Sequence, residues 1–205
     1  QAAGTIPHGL GAVPEWIILK NLDIDGNSWI VYHGSNTTAP ETDFLRLEDT
    51  HATADNANRF NDTAPTSSVF TVGADSNIND DGQNCIAYVW TPIPGFSKFG
   101  IYEGNGNADG TMVYTGFSPA WVMVKRTDST DNWQIFNNKI DVDNPHFSSF
   151  FSDTADHMAT YGSARLDFVS NGFKLRLNFS SANASSGDYV YMAFAEQPFK
   201  YANAR

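Results

Sequence analysis

The sequence predicts an all-β protein, an antiparallel β-sandwich built from two tandem copies of one unit of about 100 residues. Three observations predict it. The stretch Pro14-Glu15-Trp16-Ile17-Ile18-Leu19-Lys20 returns half a chain later as Pro119-Ala120-Trp121-Val122-Met123-Val124-Lys125. Self-similarity of that kind sets the architecture before any local propensity does. The apolar runs are short, rich in Trp, Val, Ile, Phe, Tyr and Thr, and bounded by Gly, Asn, Asp or Pro, which is the pattern of strands separated by turns. Signals for helix are poor, so about five strands per copy without crossover helices imply antiparallel sheets.

The first copy is assigned to residues 1–94. Its run Trp16-Ile17-Ile18-Leu19 is apolar throughout and predicts a central strand covered on both faces. A polar turn leads to Trp29-Ile30-Val31-Tyr32, and a long polar segment follows, in which residues 43–46 are expected to make a single helical turn. Val69-Phe70-Thr71-Val72 and Cys85-Ile86-Ala87-Tyr88-Val89-Trp90 complete the copy, the latter after an Asn-rich loop. The linker at 91–98 is short and proline-rich, so the copies are expected to pack against each other.

The second copy, residues 95–205, repeats these features in order. Phe99-Gly100-Ile101-Tyr102 leads through Glu103-Gly104-Asn105-Gly106 into Thr111-Met112-Val113-Tyr114. The first copy opens at Gln1, where an equivalent leading strand should already have finished, so its leading strand is expected to be missing. The chain is accordingly expected to be the C-terminal piece of a longer protein. Trp121 to Val124 and Trp133-Gln134-Ile135-Phe136 match the two early strands of the first copy. Phe147-Ser148-Ser149-Phe150-Phe151 reads as an apolar flap over the sandwich or as an interface patch, and residues 153–157 as a second helical turn. Phe173-Lys174-Leu175-Arg176-Leu177 alternates, one face to a core and one to solvent. Residues 189–194 supply the last strand.

Apolar residues make up 41% and charged residues 17% of the 205, which describes a folded, loop-rich chain. The net charge of -11 argues against a duplex nucleic-acid footprint and against anionic membrane surfaces. Its simplest meaning is solubility. No run reaches the roughly 18 apolar residues of a membrane span. Cys85 is the single cysteine. It permits no internal disulfide and is expected to be a buried, inert thiol.

No catalytic constellation is expected. His8, His33, His51, His146 and His157 fall in loops or at strand ends without metal-ligand spacing. The glycines of His8-Gly9-Leu10-Gly11 are expected to serve backbone geometry. Two acidic loops invite a calcium ion: Asp23 and Asp25 in Asp23-Ile24-Asp25-Gly26-Asn27, and Asn79, Asp80 and Asp81 before Gly82. Neither carries the closing glutamate of a helix-loop-helix site, and Asp-Gly also simply makes hairpin turns. Plain turns are the favoured reading and calcium the alternative; Asp141-Val142-Asp143-Asn144 is a weaker third cluster. Trp16, Trp29, Trp90, Trp121 and Trp133 read as core, so sugar contacts are better sought at 56–62 and 144–161. Sequons at Asn36, Asn61, Asn178 and Asn183 are weak motifs in so Asn-rich a chain.

Ile6-Pro7-His8-Gly9-Leu10-Gly11, then Pro14 and residues 16–21, resembles the opening of a repeat in marine bacteriophage tail-fibre and virion structural proteins. Residues 61–70, Gly95-Phe96-Ser97-Lys98-Phe99-Gly100 and the ending at 191–205 extend the resemblance over nearly the whole chain. Residues 85–90 depart from it, since the family pattern has tyrosine first and Cys-Phe last. The resemblance implies a non-enzymatic virion structural or adhesion module with no cofactor, at the end of a tail fibre or other appendage and mediating host-surface attachment. It implies assembly as a homo-oligomer with other virion proteins, a bacterial surface glycan or protein as receptor, and no nucleic acid or membrane insertion. The protein would be made in the host cytoplasm and end in the virion. The alternatives are a carbohydrate-binding lectin-like domain and a decoration protein without a receptor role.

Overall fold

The structure, a computed structural model, describes residues 2–156 and 158–197. The chain divides into two compact units, Gln1–Thr91 and Pro92–Arg205. Both are all-β, with antiparallel sheets stacked as sandwiches.

The first unit contains β1 (Gly4–Pro7), β2 (Trp16–Asn21), β3 (Ile30–His33), β4 (Asp43–Arg46), β5 (Ala54–Asp55), a helical turn α1 (Ala57–Phe60), β6 (Val69–Val72) and β7 (Cys85–Trp90). Five of the strands form one sheet in the order β5-β4-β3-β2-β7, and β1 pairs with β6. Alternation sends Ile17 and Leu19 of β2, Ile30 and Tyr32 of β3 and Phe44 of β4 toward Phe70 and Val72 of β6, Phe60 of α1 and Ile78. The opposite face of β2, with Trp16 and Ile18, is buried as well. Its unbroken apolar run therefore does report a central strand.

The second unit continues with β8 (Ser97–Glu103), β9 (Met112–Tyr114), β10 (Pro119–Arg126), β11 (Gln134–Asn137), β12 (Ser148–Ser149), β13 (Ala159–Thr160), β14 (Leu166–Val169), β15 (Gly172–Leu175), a helical turn α2 (Ser180–Asn183) and β16 (Asp188–Ala195). A four-stranded sheet, β11-β10-β16-β8, faces a three-stranded sheet, β14-β15-β9. Between them lie Val122, Val124, Phe136, Tyr189 and Tyr191 from one side and Val113, Leu166, Phe173 and Leu175 from the other. Each fully buried aliphatic or aromatic side chain there contributes roughly 1.5–3 kcal/mol. Of the alternation expected of residues 173–177, the part in β15 is present, with Lys174 turned outward between buried Phe173 and Leu175, while Arg176 and Leu177 are both half-buried.

Four expectations are corrected. Residues 43–46 are not a helical turn but strand β4, since Leu45 and Arg46 pair with Val31 and Ile30 and that pairing overrides local propensity. A 3-10 turn, Pro40–Thr42, precedes it, where proline suits a first helical position. Residues 153–156 are irregular, with bends at Asp153 and Ala155, because the Asp153 carboxylate accepts from Trp133 N and Asn132 Nδ2, both 3.2 Å, instead of starting a helix; His157 lies outside the described residues. In the described residues α-helix occurs instead at α1, capped by the Asn56 side chain and closed by left-handed Asn61, and at α2. Cys85 is exposed, not buried, because β7 is an edge strand. Residues 147–151 are no apolar flap: Ser148 and Ser149 point inward, while Phe147 and Phe150 are exposed.

Candidate binding surface

The acidic loops nominated from sequence meet at one end of the first unit, where polar side chains tie the turns together. Asn21, fully buried at the end of β2, donates to Ser76 O and accepts from Asp23 N, each 3.0 Å. Asn27 reaches the same Ser76 carbonyl at 3.0 Å, and Ser28 N donates to Asn77 Oδ1 at 2.8 Å. Asp23 bridges the two loops, accepting at one oxygen from Asn84 N at 2.5 Å and Asn84 Nδ2 at 2.9 Å.

The other nominated residues behave similarly. Asn79 Nδ2 donates to Ala2 O at 2.8 Å and to Gly73 O at 2.9 Å, and Asp80 accepts from Asp81 N at 3.1 Å. Asp25 and Asp81 are exposed, beside Gly26 and Gly82 at φ 78 and 74. Those values are the left-handed turn geometry that glycine supplies. Among the described residues no group of three or more His, Cys, Asp or Glu is gathered to hold a metal. In the weaker cluster Asp141 accepts from Phe147 N at 2.8 Å and Ser148 N at 2.7 Å, which fixes the entry to β12.

The described histidines are likewise taken up by local structure. His8 accepts from Leu10 N at 3.2 Å, and its other ring nitrogen lies 3.1 Å from Thr66 O, while Gly9 and Gly11 stand at φ 70. His33, buried, accepts from Ser35 N at 3.0 Å and meets Trp16 edge to face at 5.0 Å. His51 pairs with Asp49 at the surface. His146 is buried against Phe168, with Asp141 4.0 Å away, and burial pushes its imidazole below the usual histidine range.

Buried charge is the feature sequence reasoning missed. Arg59 on α1 ion-pairs with Asp75 at 2.5 Å under near-complete burial, and its guanidinium lies 4.7 Å from the Phe44 ring centroid. Lys125, fully buried, donates to Arg126 O at 2.7 Å. Burial raises the Asp153 carboxyl above its usual range, while the hydrogen bonds it accepts and the charge of Lys125 oppose the shift. No spacing rule marks these pairs, since each partner comes from a different element.

The aromatics divide. Trp16 and Trp133 are fully buried; Trp29, Trp90 and Trp121 are half-buried. On β7, Tyr88 and Trp90 stack at 6.1 Å and 18°, and Tyr88 is 43% exposed. The two rings are thus nearly parallel, on a strand whose far edge has no partner strand among the described residues. The stretches at 56–62 and 144–161, where sugar contacts are expected, hold α1, the left-handed Asn61 and Asp62, and the β12–β13 pair.

Neither a curated protein nor a solved structure matches the chain. Over residues 1–198 it matches the model of the family described as Domain of unknown function (DUF7483), and the chain belongs to that family.

Proposed function

We propose that this protein is a non-enzymatic structural and adhesion module of a bacteriophage virion, at the end of a tail fibre or another appendage, and that it attaches the particle to a host surface. One observation carries the non-enzymatic part. The acids and histidines that could have formed a reacting set instead close turns and cap strands of their own units, as Asp23, Asp141, His8 and His33 do. A rigid all-β scaffold held by such turns suits a load-bearing appendage. The virion part rests on the motif resemblance at 6–21, 61–70 and 95–100. In this account the chain works as a homo-oligomer beside other virion proteins, and a bacterial surface glycan or protein is the receptor.

The stacked Tyr88–Trp90 pair favours a second reading, a carbohydrate-binding lectin-like domain. Adsorption of the labelled chain to a panel of marine bacteria, run beside a glycan array and a reducing-end assay, tests both. The adhesion reading expects saturable cell binding without release of reducing ends. Release of reducing ends, or no binding to any cell, contradicts it. Array binding abolished by Tyr88→Ala selects the lectin reading.

A further inference from the structure

The two units contain one strand trio in one register. Strands β3-β2-β7 of the first unit match β11-β10-β16 of the second in order. Trp16 opposes Trp90 where Trp121 opposes Phe194, and Asn21 opposes Cys85 where Arg126 opposes Tyr189. Position by position, then, Cys85, Ala87, Tyr88 and Val89 stand where Tyr189, Tyr191, Met192 and Ala193 stand. The second set is buried, none more than 3% exposed. In the first set Cys85, Ala87 and Tyr88 are exposed and Val89 half-buried.

The difference has one visible source. In the second unit β8 lies antiparallel along the far edge of β16, from Glu103 opposite Asp188 to Ser97 opposite Phe194. Among the described residues, the far edge of β7 has no strand. An unpaired edge of apolar residues is a template for strand addition.

We infer that the free edge of β7 is the seat of an antiparallel strand of the β8 kind, and that this strand belongs to the same polypeptide and runs directly into β1. Two observations choose that occupant. First, β8 runs into β9, and β1 is the counterpart of β9: Ile6 opposes Phe70 as Val113 opposes Phe173. Second, Ala2 is held by Asn79, within the loop that leads into β7, which places the start of β1 beside the end of the open edge. The inference is independent of the adhesion reading, but it competes with the lectin reading, because the added strand covers Tyr88.

Cys85, the single thiol, reports on the edge. Residues 97–110, which are β8 and its loop, are joined ahead of Gly4, and the rate of maleimide modification of Cys85 is compared with that of the 205-residue chain. Modification should be rapid in the 205-residue chain and at least about tenfold slower in the grafted chain, because protection follows the opening of the covering strand. A graft with proline at alternate strand positions should give no protection. Equal rates in the 205-residue and grafted chains would overturn the inference, as would slow modification in the 205-residue chain. Protection that rises with concentration in the 205-residue chain, together with dimer formation, would assign the edge to a second copy instead. Because the readout is chemical, cell adsorption can fail or succeed without changing it.

Discussion

The Arg59–Asp75 pair holds α1 to the loop after β6, and removing both charges should cost far less than the sum of removing each. The side chains are 7% and 13% exposed and the charges 2.5 Å apart, so solvent screens them weakly. Burial lowers the Arg59 guanidinium from its usual range, and the Asp75 charge offsets part of that shift. Breaking such a pair by deleting one partner leaves a charge uncompensated, at about 3–5 kcal/mol. Asp75→Asn keeps an acceptor for Asn77, whose backbone and side-chain nitrogens both lie 2.8 Å from Asp75 Oδ1. It therefore isolates the charge and should cost about 3 kcal/mol, at the lower end of that range. Arg59→Met keeps an apolar stem over Phe44 and should cost about 2–3 kcal/mol. The double variant should cost little more than either single one, giving a coupling of about 2 kcal/mol. Urea unfolding followed by circular dichroism reads this as a midpoint lowered by about 1–2 M in the single variants. Additive losses, with coupling below about 0.5 kcal/mol, would refute the reasoning.

Further predictions concern pH and packing. His146 has a folded-state value below the unfolded 6.5, so the unfolded chain binds its proton first. Stability should be full above pH 6.5 and decline as pH falls below it, a slope that thermal melts should find reduced in His146→Phe; an unchanged slope contradicts this. Burial pushes Tyr32 and Tyr189 up to about 12, against an ordinary value of 10.0. Their contribution should hold below pH 10 and fade as pH rises toward 12, with the share of phenolate absorbance lost in a Tyr32→Phe, Tyr189→Phe double variant appearing only as the protein unfolds. A methyl added at Gly172 would sit 2.0 Å from the Val113 carbonyl in the β15–β9 pair, whereas one at Gly162 meets nothing within 4 Å. Gly172→Ala should lose at least about 1–3 kcal/mol and Gly162→Ala almost none; equal melts would show the close approach to be unimportant.

Much of the fold was legible because strand physics is local. Period-two alternation at 173–175 and the unbroken apolar runs at 16–19 and 121–124 each named their own faces. The turn glycines were legible for the same reason. What escaped the sequence depends on which strands become neighbours. Cys85 lies in as apolar a stretch as Trp121, yet it is exposed because β7 closes a sheet on one side only. Residues 43–46 contain fair helix formers, but pairing with β3 decides their state. The nominated acids lie in the loops between strands, whereas the contact of Asp23 with Asn84 joins loops far apart in sequence. The Arg59–Asp75 and Lys125–Asp153 couples left no trace in spacing, since helix turn, strand and loop each supply a member.

The absolute mass of the chain in solution, measured by light scattering with and without a chelator, tests the proposed appendage role most directly. The account predicts a stable multimer, a whole multiple of the chain mass, that chelator leaves unchanged because the carboxylate of Asp23 already serves Asn84. A monomer at all concentrations would contradict the appendage reading and favour a lectin-like domain, and dissociation on chelation would return the loops at Asp23 and Asp80 to the role of a calcium site.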